Sequence, residues 1–134
     1  MKRFFVLPLL AALVMAVVPL AHAGGTAAPL STPDLQKTIS AGKKNTIVFF
    51  QNPMGGPCRA QNEILQKLLK DRKSSFNIVS VSTMKAEDQR AFYDYGVRSL
   101  PTVVLVNKKG IVANYFPPGI QSYEGLAAAL ASVK

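Results

Sequence analysis

Residues 45–58 read Asn-Thr-Ile-Val-Phe-Phe-Gln-Asn-Pro-Met-Gly-Gly-Pro-Cys and combine an extended apolar run with a segment rich in proline and glycine. Its first half, from Asn45 to Gln51, is a β-branched and aromatic run without polar alternation, which predicts a central strand buried on both faces. The second half, residues 52–57, contains two prolines and two glycines and predicts a loop. From Cys58 to about Arg72 apolar residues recur at helical spacing, so the loop leads directly into the start of a helix.

The remaining sequence alternates between helical and extended patterns. Thr32 and Pro33 predict the start of a helix that Gly42 ends. Further strands are predicted over 76–82, 102–106 and 111–116, and further helices over 86–95 and 122–132. Strands separated by helices are expected to pair in parallel, whereas Asn107–Gly110 is typical of a hairpin turn. We therefore expect an α/β fold with a central mixed β-sheet and helices on both of its faces.

The N-terminal 23 residues are typical of a secretory signal peptide. A basic start precedes an apolar run over 4–20, which ends in the small tripeptide Ala21-His22-Ala23. An uncleaved membrane anchor is the alternative, because the run approaches the length that a bilayer requires. The tripeptide favours cleavage, which predicts a periplasmic or secreted protein without stable membrane insertion. Residues 24–31 are expected to form a flexible tail or a short edge strand, and 32–134 a single domain.

The composition argues against several kinds of functional site. Cleavage would remove His22, which is the chain's one histidine, and with it Ser-His or Cys-His catalysis and the commonest metal ligand. The formal net charge of +9 comes from basic residues scattered along the chain, which are interpreted as solvated faces and turns rather than a nucleic-acid track. Gly55-Gly56 is too short to be a phosphate loop. We expect no metal, no cofactor and no nucleic-acid partner.

Three segments, in this order, resemble the thioredoxin superfamily over nearly all of the chain after residue 23. Residues 46–58 are similar to the family's central strand running into Trp-Cys-Gly-Pro-Cys. Residues 95–102, Tyr-Gly-Val-Arg-Ser-Leu-Pro-Thr, resemble the loop before the family's cis-proline, which implies a cis bond between Leu100 and Pro101. Residues 103–111 and then Gly119 resemble the closing hairpin and the glycine beyond it. The resemblance implies a thioredoxin fold.

The chain departs from the family pattern at positions that matter for redox chemistry. Gly55 stands where the family has its first cysteine, Met54 where it has tryptophan, Phe49 where it has a buried acid, and Ser80 where it has a partner lysine. The resemblance implies a catalytic loop formed by Gly55, Gly56, Pro57 and Cys58. It also implies substrate contacts at Met54, Ser99, Leu100 and Pro101.

Cys58 is the chain's single cysteine, so it cannot form an internal disulfide. The start of a helix and the neighbouring Arg59 favour its thiolate form, whereas burial opposes it. Three interpretations stay open. Cys58 is a small buried hydrophobe left from an ancestral pair, a reactive thiol that Gly55 uncovers to substrates, or one half of a disulfide to another chain.

These residues lead to a functional prediction with two alternatives. The first is an exported thioredoxin-like protein that acts on protein or small-molecule thiols and disulfides through one cysteine, as a monothiol reductase or an isomerase-like enzyme. We expect a monomer, with a dimer linked through Cys58 as the other possibility. One alternative is a redox-inert binding module that holds a polypeptide in the groove formed by 53–58 and 99–102. The other is that Gly55 replaces a cysteine in a dithiol oxidoreductase.

Overall fold

The computed structural model describes residues 25–133, and the predicted signal peptide at 1–23 lies outside them. The elements within this range are, in chain order, α1 (Pro33–Ser40), β1 (Thr46–Gln51), α2 (Gly56–Asp71), β2 (Asn77–Ser82), a 3₁₀ turn (Ala86–Asp88), α3 (Gln89–Asp94), β3 (Thr102–Val106), β4 (Val112–Tyr115) and α4 (Tyr123–Ser132). Across 25–133, no helix is both long enough and apolar enough to cross a bilayer.

The four strands form one mixed sheet in the order β2-β1-β3-β4. The central position predicted for β1 is confirmed, since it pairs with β2 in parallel and with β3 antiparallel. The parallel pairing expected for β3 is wrong. The segment 95–101 carries the chain back to the sheet edge at which β2 ends, so β3 starts there and runs against β1.

Helices cover both faces of the sheet, and the predicted core is confirmed. One face packs against α1 and α3 through Val48, Phe50 and their neighbours, and the other packs against α2 and α4 through Ile47 and Phe49. Seven apolar strand residues are fully or almost fully buried in this core: Val48, Phe49, Phe50, Val79, Val103, Val104 and Leu105. Ile78 is half-buried, because β2 is an edge strand.

The helix predicted over 86–95 divides into the 3₁₀ turn and α3. Asp88 is buried, and its carboxylate accepts a hydrogen bond of 2.8 Å from the backbone N–H of Ser82. A carboxylate that bonds the end of β2 cannot stay in the solvated first turn of a helix. The turn therefore fastens the loop that follows β2.

The segment before α1 lies along the β3–β4 hairpin. Of the two conformations expected for it, the short edge strand agrees with the single antiparallel bridge between Ala27 and Ile111. The buried hydroxyl of Tyr95 donates to the carbonyl of Pro29 at 2.8 Å, and burial raises the pKa of Tyr95. Ser31 Oγ donates to Asp94 Oδ2 at 2.6 Å, so α3 holds this segment at two points.

Val104→Ala tests the core. Val104 is fully buried on β3, so its replacement should lower the free energy of unfolding by about 2 kcal/mol through lost burial and a residual cavity. Urea unfolding measures the change, with the half-buried Val112→Ala on β4 as the matched control. Equal effects in the two variants would contradict the placement of Val104.

Ser31→Ala tests the attachment of the N-terminal segment. The Ser31 hydroxyl holds the pKa of Asp94 below its ordinary value, and the neighbouring Arg90 lowers it further. Because the pKa of Asp94 is lower in the folded state, its ionisation adds to the free energy of unfolding at pH values above the ordinary pKa. This contribution is lost as the pH falls through the lowered pKa of the folded state. The variant should therefore raise the pKa of Asp94 in an NMR titration, whereas Ser40→Ala should leave it unchanged. An unshifted Asp94 in Ser31→Ala would count against this bond.

Candidate functional site

Four connecting segments meet at the end of the sheet where β1 ends and β3 begins. Phe50 pairs with Thr102 and Gln51 pairs with Ser82, so the loops at 52–55, 83–85 and 99–101 leave or enter the sheet side by side. The segment 117–121, after β4, joins them because Gly119 donates its N–H to the carbonyl of Pro101 at 3.0 Å. The strand register thus brings together the residues that the sequence predicts for the site.

The loop after β1 is a tight turn organised by Asn52. Its side-chain Oδ1 accepts from the N–H of Met54 at 3.0 Å, and its carbonyl accepts from the N–H of Gly55 at 2.9 Å. Its own N–H points at the Sγ of Cys58, 3.4 Å away. Sequence reasoning identified the loop but missed this role of Asn52, for which the Asn-Pro dipeptide is a turn signal.

Cys58 lies in the first turn of α2 and is buried, with 3% of its surface exposed. The expectation that Gly55 uncovers the sulfur is therefore wrong, because the 52–55 turn folds back over it. The Asn52 N–H donates to this sulfur from one side, and the first turn of α2 lies on the other. Cys58 is thus a shielded sulfur with a backbone donor aimed at it.

Gly55 has a backbone conformation that any residue can adopt. It precedes α2 as the N-cap with φ −81° and ψ 134°. A Cβ built on Gly55 would lie 3.7 Å from the Sγ of Cys58 and 3.3 Å from the carbonyl oxygen of Asn52. The backbone therefore does not require glycine here, and a side chain at this position would contact the sulfur directly.

The peptide bond between Leu100 and Pro101 is cis, as predicted. Pro101 is buried and its carbonyl is bonded to Gly119, while the carbonyl of the exposed Ser99 accepts from Thr102 Oγ1 at 2.6 Å. Within residues 25–133, no hydrogen bond uses the backbone N–H or C=O of Leu100. Of the three residues predicted to contact substrate in this loop, Leu100 is thus the one whose backbone N–H and C=O are both without a hydrogen bond within residues 25–133.

A buried glutamine, which sequence reasoning missed, fixes the segment 117–121 to the cysteine helix. Gln61 is fully buried three residues after Cys58, and its side chain bonds the backbone of Gln121 in both directions. Gln61 Oε1 accepts from the N–H of Gln121 at 2.5 Å, and Gln61 Nε2 donates to its carbonyl at 3.2 Å. The position of Gln61 on the apolar face of the predicted helix was the available signal in the sequence. Nothing in the sequence pointed to its partner Gln121, which lies 60 residues away.

Exposed apolar side chains surround the site on three of the four segments. Met54 is 74% exposed, Met84 is 69% exposed and Ile120 is 49% exposed. Only Met54 was predicted from the sequence. Flexible methionines suit a surface that accommodates variable apolar partners.

Phe49 and Ser80 occupy the positions at which the family has its acid and its lysine. The two residues pair directly across β1 and β2. Phe49 is fully buried among apolar residues, and Ser80 is exposed and accepts a hydrogen bond from Gln51. This pair provides neither a buried carboxylate nor an ammonium group for proton transfer.

A family model described as a thioredoxin-like domain matches residues 32–134. The chain belongs to this thioredoxin-like family. Thioredoxin M4 from the chloroplast of Arabidopsis thaliana is 32% identical over 85 residues, which cover 60% of this chain and 43% of that protein. A thioredoxin of Pyropia yezoensis is 29% identical over 59 residues, covering 44% and 53% respectively. The chain thus spans about half the length of these relatives.

Solved structures agree with the thioredoxin fold. The X-ray structure of Fasciola hepatica thioredoxin superposes with a TM-score of 0.61 at 26% identity, covering 78% of this chain and 97% of that one. The thioredoxin-like domain and its fold are therefore established. The roles assigned to the site residues stay predictions.

Gly55→Cys tests the loop geometry. Because a Cβ at position 55 lies 3.7 Å from Sγ of Cys58, mild oxidation should form an intramolecular disulfide in nearly all molecules. Mass spectrometry and thiol counting measure it.

Gly56→Cys is the matched control for this experiment. A Cβ at Gly56 meets nothing within 4 Å, and residues two apart on a helix do not face each other. This variant should stay reduced or form dimers. An unpaired Gly55→Cys, or pairing to the same extent in both variants, would contradict the loop geometry described above.

Proposed function

We propose that the protein is an exported thioredoxin-like protein that exchanges thiols and disulfides through Cys58 alone. The observation that carries the proposal is the sulfur itself, which lies at the start of α2, accepts the Asn52 N–H and has only Gly55 at the position from which a second cysteine would resolve it. Membership of the family supports thiol and disulfide substrates. Export rests on the signal-like sequence at 1–23.

The reaction proceeds in two exchange steps. The Cys58 thiolate attacks one sulfur of a substrate disulfide, so a Cys58–substrate disulfide forms and the other substrate sulfur leaves as a thiolate. An external thiolate then attacks the substrate sulfur of this mixed disulfide, so Cys58 leaves as a thiolate and a disulfide forms between the external thiol and the substrate. A second external thiolate attacks the external sulfur of this new disulfide and releases the substrate as a thiol, which completes its reduction. If another thiol of the substrate attacks the substrate sulfur instead, a different substrate disulfide forms, which completes an isomerisation.

The groove beside Cys58 supports a polypeptide substrate. Leu100 presents an unused backbone N–H and C=O, which can pair with an extended chain in the manner of an added strand. Met54, Met84 and Ile120 offer apolar contacts on three sides of that position. The proposed substrate is therefore an exposed, extended polypeptide segment that carries a disulfide.

The burial of Cys58 favours a second candidate function, a redox-inert module that binds polypeptides in the same groove. Cys58, with 3% of its residue surface exposed, reacts only when the 52–55 turn opens or a substrate displaces that turn. The thiol-exchange function therefore requires that the 52–55 turn opens in the native protein, whereas the binding module does not require it. They share the groove and differ only at the sulfur.

The monothiol mechanism predicts that turnover depends on an added thiol. With a disulfide reductase but no small thiol, insulin reduction should stop after at most one exchange per molecule, because nothing resolves the mixed disulfide. Addition of glutathione should give a catalysed rate that Cys58→Ser abolishes and Ser40→Ala, on α1, retains. Sustained reduction without the small thiol would contradict this mechanism.

Alkylation of Cys58 separates the two candidate functions. A reactive thiol should be modified by iodoacetamide in the native protein at a rate that rises with pH as the thiolate forms. Modification several orders of magnitude slower than in the urea-unfolded chain would favour the binding module. The unfolded chain supplies the accessible reference for the same cysteine.

A further inference from the structure

The fold gathers basic residues at the end of the sheet that lies opposite Cys58. Thr46 pairs with both Asn77 and Val106, so this is where β1 and β2 begin and β3 ends. The last turns of α1 and α2 reach the same place. These elements and their loops carry eight basic side chains, which we call the basic pole: Lys37, Lys43, Lys44, Lys70, Arg72, Lys73, Lys108 and Lys109.

Contacts between the loops make the basic pole one surface. Lys44 Nζ donates to the carbonyl of Ser74 at 2.8 Å, which joins the loop before β1 to the end of α2. A Cβ at Gly42 would lie 3.2 Å from the carbonyl oxygen of Lys108, so the β3–β4 turn adjoins the same loop. Lys37 and Lys43 line a shallow depression together with Lys44 and Asn77. The seven lysines are exposed and Arg72 is half-buried.

The basic pole holds the whole excess of positive charge in the described chain. Within residues 25–133 its eight basic residues meet one acidic residue, Asp71. The remainder carries five basic residues, Arg59, Lys67, Lys85, Arg90 and Arg98, against six acidic ones, Asp34, Glu63, Glu87, Asp88, Asp94 and Glu124. The charge therefore lies at one end of the molecule, and the rest is close to neutral.

Helix ends account for a small part of this charge. The C-termini of α1 and α2 lie at the pole, and Asn45 Nδ2 contacts the carbonyl of Val133, just after α4. Each helix end carries roughly half a negative charge, so three of them offset between one and two of the lysines. Most of the positive charge has no use inside the fold and is available to an external anion.

Shape and composition favour a lipid surface as that anion. The loops at 41–45, 72–75 and 107–110 contain no aromatic residue on which a nucleic-acid base could stack. Seven of the eight residues are lysines, whose flexible point charges suit dispersed headgroups rather than the bidentate geometry that arginine provides. Clusters of four to eight basic residues are typical of attraction to anionic membranes.

We propose that the basic pole docks the protein on a membrane surface that carries anionic lipid headgroups. This surface lies at the opposite end of β1 from the 52–55 turn, so docking would orient the Cys58 site away from the bilayer and toward partners in the aqueous phase. The proposal does not depend on the chemistry of Cys58. A Cys58→Ser protein should bind membranes as the wild type does.

Vesicle co-sedimentation of the purified protein tests the proposal. Phosphatidylcholine vesicles containing phosphatidylglycerol should bind it at low ionic strength, and vesicles of phosphatidylcholine alone should not. Molar salt should release the bound protein, because it screens exposed charges. Equal binding to both vesicle types would overturn the proposal, since it would indicate apolar attachment.

Two double variants with the same change in charge locate the contact. Lys108→Gln with Lys109→Gln removes two exposed charges from the pole and should weaken binding by about twenty-five-fold, since each lysine near an anionic surface contributes about fivefold. Lys85→Gln with Arg98→Gln removes two exposed charges elsewhere and should weaken binding by less than about threefold. Equal losses, or no vesicle binding, would overturn the proposal. The proposal would also be overturned if the protein bound duplex DNA more tightly than anionic vesicles and if the Lys108→Gln, Lys109→Gln variant lost affinity for that DNA.

Discussion

Because β1 is buried on both of its faces, it sets the positions of the neighbouring strands and of the loops at their ends. Five of its six residues are buried, and it pairs with β2 over its whole length and with β3 from Thr46 to Phe50. A strand fixed on four sides cannot shift its register, because a slip by one residue would exchange its two apolar faces. The loop that follows it, with the start of α2, is thereby held at one defined edge.

That constraint explains why the candidate site is assembled from distant segments. Asn52, Leu100 and Gly119 belong to three different connections. Asn52 follows β1 itself, Leu100 precedes β3, and Gly119 follows β4, which pairs with β3. The side chain of Gln61 adds the one polar bond pair that joins α2 to the segment after β4. A buried amide leaves unsatisfied groups if it loses its partners, so this pair resists local opening. The site is therefore rigid on the side of Gln121 and depends on a short turn on the side of Asn52.

Much of the fold could be read from the sequence because its signals are local. The apolar run before Asn52, the Thr32-Pro33 start of α1 and the β3–β4 turn each depend on neighbouring residues. The direction of β3, the buried carboxylate of Asp88 and the partner of Gln61 depend on contacts between residues far apart in the chain. The burial of Cys58 belongs with them, because the Asn52 turn and not the size of residue 55 covers the sulfur. Charge followed the same rule, since lysines far apart in sequence become neighbours only when the strand ends align.

The ordinary backbone of Gly55 has a consequence for the history of this site. Glycine and cysteine codons can differ by one base, and a φ of −81° accepts either residue once the Asn52 carbonyl, 3.3 Å from a Cβ at position 55, yields slightly. Gain and loss of the paired thiol are thus separated by one mutational step that leaves the architecture intact. A lineage carrying this fold can therefore change from a two-sulfur site to a one-sulfur site, and back, with little effect on the stability of the fold.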